Sequence, residues 1–284
     1  MGKVIYGGLV GFLGVMLIAG TGCIYISGHG YWSSPQEKFE RVVALSHPME
    51  AGGEFGAQTH NGHIIIEGSA AESCAVKATI AGRSREAEDA QRLAEETEVQ
   101  LVSSGDKLTV KIDKPKLKGN ESIVVDLDVS LPEQADLDVK TYNGEIIITN
   151  ISGSIEGVTH NGNVKVTKVS GEIDMETYNG AFTCEEISGN LELDTHNGRV
   201  LARYAEGAPA VCEVKLVSYN GDVDLQAPKN FSATVTVKTY NGTIRTDLPL
   251  TVTGDFGKRS LSGTIGEGEG NLHLETHNGS IKIR

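Results

Sequence analysis

Six aromatic side chains stand at one place in a recurring motif. Tyr142, His160, Tyr178, His196, Tyr219 and Tyr240 each directly precede Asn-Gly, and His60 and His277 do the same at the two extremes of the series. An evenly spaced row of imidazoles and phenols suits a small number of tasks. Aromatic faces give flat apolar contact with a polar tip, which makes a platform for sugar rings. The rings can instead stack on one another and protect the turn, each pair contributing ~0.5–1.5 kcal/mol. Imidazoles also gain charge in mildly acidic solution, so the row would respond to pH beside an acidic face. Zinc is the poorest fit. His160 and His196 stand two units apart, ~9.6 Å along a stack of strands, whereas Zn–N bonds are about 2.0–2.1 Å. No third ligand presents itself, so neither a metal nor a cofactor is expected.

The elements that carry these residues follow from the spacing. The Asn recurs at Asn61, Asn143, Asn161, Asn179, Asn197, Asn220, Asn241 and Asn278, and from 143 to 197 every step is 18. Ser-Gly falls midway, so glycine recurs every nine residues from Gly144 to Gly198. A fixed period of this kind marks a repeat architecture. Between turns the residues alternate: Ile173, Met175 and Thr177 share one parity, as do Leu191, Leu193 and Thr195, and Val164 and Val166 continue it past Asn-Gly. Period-two alternation means half-buried strands, so the body is all-β. Asn-Gly between alternating strands suggests an antiparallel meander, but a single meander leaves its apolar face uncovered. A parallel β-solenoid (β-helix) of 18-residue coils buries that face within each coil and is favoured. Parity then places Thr and Asn inward, with the Asn side chains forming a ladder, and His or Tyr outward. If Gly162 has a positive φ, a β-branched residue is poorly tolerated in its place. Calcium-binding nonapeptide rolls need Gly-Gly-x-Gly-x-Asp, which is missing here.

The 284-residue chain carries a net charge of −13, which argues against nucleic acid as a partner. Outward acids cluster on the strand before Asn-Gly (Glu156, Glu172, Asp174, Glu176, Glu192, Asp194), while the strand after it is mixed, with Lys165, then Thr183 and Glu185, then Arg199 and Arg203. A solvated face that blocks edge aggregation accounts for the acids; bound cations are the alternative. Polysaccharide lyases share the β-helix. They place a basic residue beside a calcium-bearing acidic cluster, and here the arginines fall on a different face from the acids. No nucleophile elbow, catalytic triad or phosphate loop is present, and no enzyme is expected. Cys74, Cys184 and Cys212 allow at most one disulfide, so disulfides are not the framework.

At the amino terminus, Lys3 precedes an apolar stretch from Val4 to Gly22, and Gly20-Thr21-Gly22-Cys23 follows. This reads as a lipoprotein signal with lipid attachment at Cys23, or as an uncleaved transmembrane anchor; a simple cleaved signal is the third reading. Residues 1–27 are thus a membrane anchor or signal, 28–48 a linker, and 49–284 the body. Ser84 to Val99 has a helical stripe of Ala87, Ala90, Leu93, Ala94 and Thr97, with Ser84 as N-cap, and should flank the first coils.

The order of elements resembles the bacterial putative-adhesin family of β-strand repeat proteins, a domain of otherwise unknown function. The resemblance rests on an early coil (Thr59-His60-Asn61-Gly62-His63-Ile64), an acidic helix and strand (Ser84 to Asp113), a strand ending in Leu-Pro (Val125 to Glu133), and short coils of the form Val-x-Thr-x-Asn-Gly-x-Ile. It spans about residues 50 to 284 and implies an extracytoplasmic β-helical body. The expectation is a non-enzymatic, adhesin-like binding or structural module of the cell envelope. It would be tethered to the membrane and would bind a polysaccharide along the Tyr/His edge. An envelope scaffold or a regulatory partner of another envelope protein is the alternative.

Overall fold

The computed structural model describes residues 36–284. Cys23 and the segment read as anchor or signal lie outside the described residues, as does the first part of the linker. Among the described residues no helix is long and apolar enough to cross a membrane.

Two long sheets face each other. The strands that end in the Asn-Gly motif form one of them, here the motif sheet. Its twelve strands run in the order Thr251–Phe256, Ser260–Ile265, Ala233–Thr239, Gly270–Asn278, Glu213–Asn220, Leu191–Asn197, Ile173–Asn179, Ile155–Asn161, Asp136–Asn143, Glu54–Asn61, Lys107–Asp113 and Glu98–Ser104. The eight strands that follow Asn-Gly lie in the facing sheet of eleven, which Glu37–Pro48, Ser73–Ser84 and Ser122–Pro132 complete. Neighbouring coils pair in parallel and in register: Ile155, Ile173 and Leu191 are partners, as are Thr159, Thr177 and Thr195. This is the solenoid. The meander fails because each Asn-Gly turns the chain into the opposite sheet, not back along its neighbour. Antiparallel pairing belongs to the two ends. Glu37–Pro48, Ser73–Ser84 and Ser122–Pro132 form it at one, together with Glu98–Ser104 and Lys107–Asp113, and Ala233–Thr239, Ser260–Ile265 and Thr251–Phe256 at the other. Such atypical ends are what a repeat array needs, since an inner coil is covered on both sides and a terminal one is not.

The core lies between the sheets. Ile146, Ile148, Val166, Phe182 and Cys184 from one meet Val139, Ile173, Met175 and Leu193 from the other, all buried. Size is matched locally: a Cβ at Gly157 would fall 2.5 Å from Met175 Sδ, so the missing side chain makes room for the methionine. Cys74, Cys184 and Cys212 are free and buried, and burial pushes the Cys74 and Cys184 thiols up to about 12. They pack as small apolar groups.

Two boundaries differ from the sequence reading. Residues placed at the end of the linker form strand Glu37–Pro48, which pairs along its whole length with Ser73–Ser84. Its edge position leaves it half-exposed and hence mixed in composition. The helix is shorter than expected, Ala87–Glu96. Ser84 ends the preceding strand, and Glu86 is the N-cap without a side-chain capping bond. Ala90, Leu93 and Ala94 are buried as the stripe requires, and Gly82 lets the helix approach, since a Cβ there would meet Ala90 O at 2.1 Å.

The next-to-last residue of three facing strands, Ile146–Ile151, Val164–Val169 and Phe182–Ile187, is in the left-handed region: Asn150 (φ 60°), Lys168 (57°) and Glu186 (57°). Asn tolerates this conformation, whereas Lys and Glu pay for their Cβ. Glu186→Gly is therefore expected to raise stability by ~0.5–1 kcal/mol, after allowing for glycine's greater freedom in the unfolded chain. Urea denaturation would measure it, and a loss of stability would refute the strain at Glu186.

Candidate functional site

Each residue of the Thr-(His/Tyr)-Asn-Gly motif has a separate physical reason. The glycines of successive coils almost touch. A Cβ on Gly162 would lie 1.8 Å from Gly144 O, and one on Gly180 would lie 1.8 Å from Gly162 O. Gly162 is not among the glycines with left-handed φ, so the reason for glycine there is close backbone approach and not torsion. The approach leaves each glycine carbonyl without a strand partner. The buried hydroxyl of the next coil supplies one: Thr159 Oγ1 donates to Gly144 O at 3.0 Å, Thr177 to Gly162 O at 3.1 Å and Thr195 to Gly180 O at 2.9 Å. Ser218 does the same to Gly198 O at 2.9 Å, which shows that the hydroxyl is the essential part.

The Asn residues form a continuous ladder. Asn161 Nδ2 donates to Asn143 Oδ1 at 2.8 Å, Asn179 to Asn161 and Asn197 to Asn179 likewise. The ladder is as expected, but its direction is not: Asn143, Asn161, Asn179 and Asn197 are exposed. Parity stops at the corner because the chain bends there, so the ring and the amide after it both face out.

The rings stack. Centroids are 5.0 Å apart for His60–Tyr142, 4.5 Å for Tyr142–His160, 5.0 Å for His160–Tyr178 and 4.7 Å for Tyr178–His196. The series continues with His196–Tyr219 at 4.8 Å, Tyr219–His277 at 4.6 Å and His277–Tyr240 at 4.8 Å. All six candidate residues and both flanking histidines thus join one column. In space His and Tyr alternate without a break, although the sequence places Tyr219 and Tyr240 in succession. Strand Gly270–Asn278 slides between Glu213–Asn220 and Ala233–Thr239 and carries His277 into the gap. An inner ring has both faces covered, so the open platform for sugar faces does not exist. What remains is a strip of edges: phenol oxygens and imidazole nitrogens, with the tyrosines 42–47 % exposed.

Beside the rings the outer surface of the motif sheet is acidic. Asp138, Glu156, Asp174 and Glu192 stand in register on successive coils. Desolvation and the neighbouring Glu192 and Glu156 raise the Asp174 pKa; desolvation likewise raises that of Asp194. Lysines end this column. Lys107 lies 4.0 Å from Asp138 and is also paired with Glu54, and Lys215 is 2.5 Å from Glu192. Arg199 and Arg203 are on the facing sheet, bound to Asp224 at 3.1 Å and to Glu185 at 2.7 Å. Among the described residues no three His, Cys, Asp or Glu come together as a metal would require. The sequence reading missed the Thr-to-Gly hydroxyl link, although a hydroxyl residue two positions before each Asn was its signal. It also missed Lys238, whose Nζ lies 4.5 Å from the centre of the last ring, Tyr240.

Several solved structures match most of the described chain at low identity, three of them as follows. A putative adhesin from Bacteroides fragilis is 14 % identical, with a TM-score of 0.46, covering 86 % of this chain and 97 % of its own. A putative cell adhesion protein from Clostridium sporogenes is 13 % identical (TM-score 0.36; 86 % and 99 % covered). A putative adhesin from Parabacteroides merdae is 11 % identical (TM-score 0.38; 86 % and 96 % covered). Comparison with curated proteins gives no match. The family described as Toastrack DUF4097 matches residues 48–284, a span that takes in every coil of the ring column, and the chain belongs to that family.

Proposed function

We propose that this protein is a non-enzymatic, adhesin-like binding module of the bacterial cell envelope, tethered to a membrane by its apolar amino-terminal segment. An extended polysaccharide lies along the strip of ring edges and Asn amides. The observation that carries this reading is the strip itself, a column of eight alternating imidazoles and phenols beside a continuous amide ladder, all at the pitch of the coils. Because the faces of the inner rings are occupied, recognition along the strip is edge-on and by hydrogen bonds. Each contact is weak, so affinity grows with the number of coils engaged and hence with chain length. Catalysis is not proposed, because the arginines that a lyase would use are paired on the other sheet.

The test removes hydroxyls and keeps the stack. Tyr142→Phe combined with Tyr178→Phe should weaken retention on an immobilised polysaccharide (peptidoglycan or an exopolysaccharide) roughly tenfold, since each lost hydrogen bond is worth ~0.5–1.5 kcal/mol. Thermal unfolding should be unchanged. Retention equal to wild type, or no retention of wild type on any polysaccharide, sinks the proposal and leaves the rings a purely structural role.

A further inference from the structure

The ring column has two unlike ends. Tyr240 closes one: its inner face stacks on His277, and Lys238 lies over it, with Nζ 4.5 Å from the ring centre and donating to the Tyr240 hydroxyl at 2.7 Å. His60 stands at the other. Its inner face stacks on Tyr142, and among the described residues no ring or cation covers its outer face. His60 is accordingly exposed, whereas His160, His196 and His277 are half-buried.

The neighbouring strand makes space for something there. Lys107–Asp113 pairs with Glu54–Asn61 only as far as Ala57 with Val110; beyond that it diverges from this neighbour while staying paired with Glu98–Ser104 as far as Asp113. The gap is an open cleft of about 580 Å³ lined by His60, Tyr142, Ile112, Lys111, Lys114 and Lys140. Three lysines in one cleft stand out in a chain of net charge −13. Lys111 and Lys140 have carboxylate partners outside the lining, Asp113 at 2.9 Å and Asp138 at 2.8 Å. Lys114 has no carboxylate partner among the described residues. It is exposed, yet the protein around it disfavours its charged form and lowers its pKa, so an anion beside it would restore what it lacks.

We propose that this cleft binds a single carboxylated sugar residue, its ring on the open face of His60 and its carboxylate at Lys114. The inference rests on the polysaccharide reading of the strip and gives it polarity. One further ring at the coil pitch of ~4.8 Å continues the column, and Ile112 supplies an apolar wall. Farther along, the outward residues beside the rings include Glu176, Asp194 and Glu275, which repel an anion. A neutral chain carrying its acidic residue at the His60 end is therefore the matching ligand.

Methyl glucuronide and methyl glucoside are suitable probes, titrated into full-length protein in detergent micelles while the imidazole C–H signals are followed by NMR. The glucuronide should shift His60 and not His277, and bind at least fivefold more tightly than the glucoside. Lys114→Gln should abolish that preference; Lys238→Gln, at the closed end, should keep it. Equal binding of the two glycosides, or a preference unchanged in Lys114→Gln, overturns the cleft. If a neutral polymer is retained by the strip in either of those cases, the strip reading stands without it. Glucuronide bound at His60 by a protein that retains no polymer supports the cleft and removes the strip alone.

Discussion

Replacing Gly162 with alanine is expected to destabilise the body by more than about 3 kcal/mol, or to prevent folding outright. The new Cβ would stand 1.8 Å from Gly144 O and 3.0 Å from Thr159 Oγ1. The carbonyl cannot retreat cheaply, because it accepts the Thr159 hydroxyl and belongs to a glycine that is itself 1.9 Å, by the same measure, from Gly62 O. The coil would have to lift away from its neighbour, and Gly162 N, which donates to Asn179 O at 3.1 Å, would move with it. In a linear array each coil is stabilised by its two neighbours, so a defect at the centre weakens both interfaces. Chemical denaturation and amide exchange would show lost protection on either side of Gly162. Gly207→Ala is the control, since Gly207 is exposed with nothing within 4 Å of its would-be Cβ; it should be neutral or slightly stabilising. Equal stability of the two variants would mean that the glycine column is not in close contact.

Thr177→Val is expected to cost ~1–3 kcal/mol, because a nearly isosteric side chain leaves the Gly162 carbonyl without its donor in a buried place. Thr177 is buried, and its hydroxyl reaches Gly162 O at 3.1 Å. Thr177→Ser should lose much less, as Ser218 already makes the equivalent bond. Asn161→Ala should also be milder than Thr177→Val, because the exposed amide ladder competes with water. A urea series on the three variants tests the order. If Thr177→Val and Thr177→Ser are equally stable, packing alone explains the recurring shape of the turn and the hydroxyl link carries no energy.

Much of this architecture was legible in the residues. The 18-residue step and the alternation of Ile173, Met175 and Thr177 specify a coil, and the need to cover its apolar parity specifies stacking of coils. The outward placement of Tyr142, His160, Tyr178 and His196 followed from the same parity. Parity misled at Asn161, because it holds only while the backbone is straight and the corner bends it. It was silent on strand Glu37–Pro48, whose edge position removes the pressure for clean alternation. The cause of Gly162 was out of reach for a different reason: its constraint is Gly144 O, a contact across coils that local torsion rules do not describe.

The sequence by itself determined the repeating unit, since side-chain parity and turn residues act within a few positions of each other. The order of the last coils was left to the tertiary structure. Strands Glu213–Asn220, Ala233–Thr239 and Gly270–Asn278 carry the same pattern, and any of them offers a parallel edge to any other. The fold places the last of the three in the middle, with Ser260–Ile265 covering the far edge of Ala233–Thr239 in antiparallel fashion. That choice sets His277 between Tyr219 and Tyr240 and completes the alternation of rings. Stacking acts through space over roughly one coil pitch, so which rings meet depends on which strands become neighbours and not on their order along the chain.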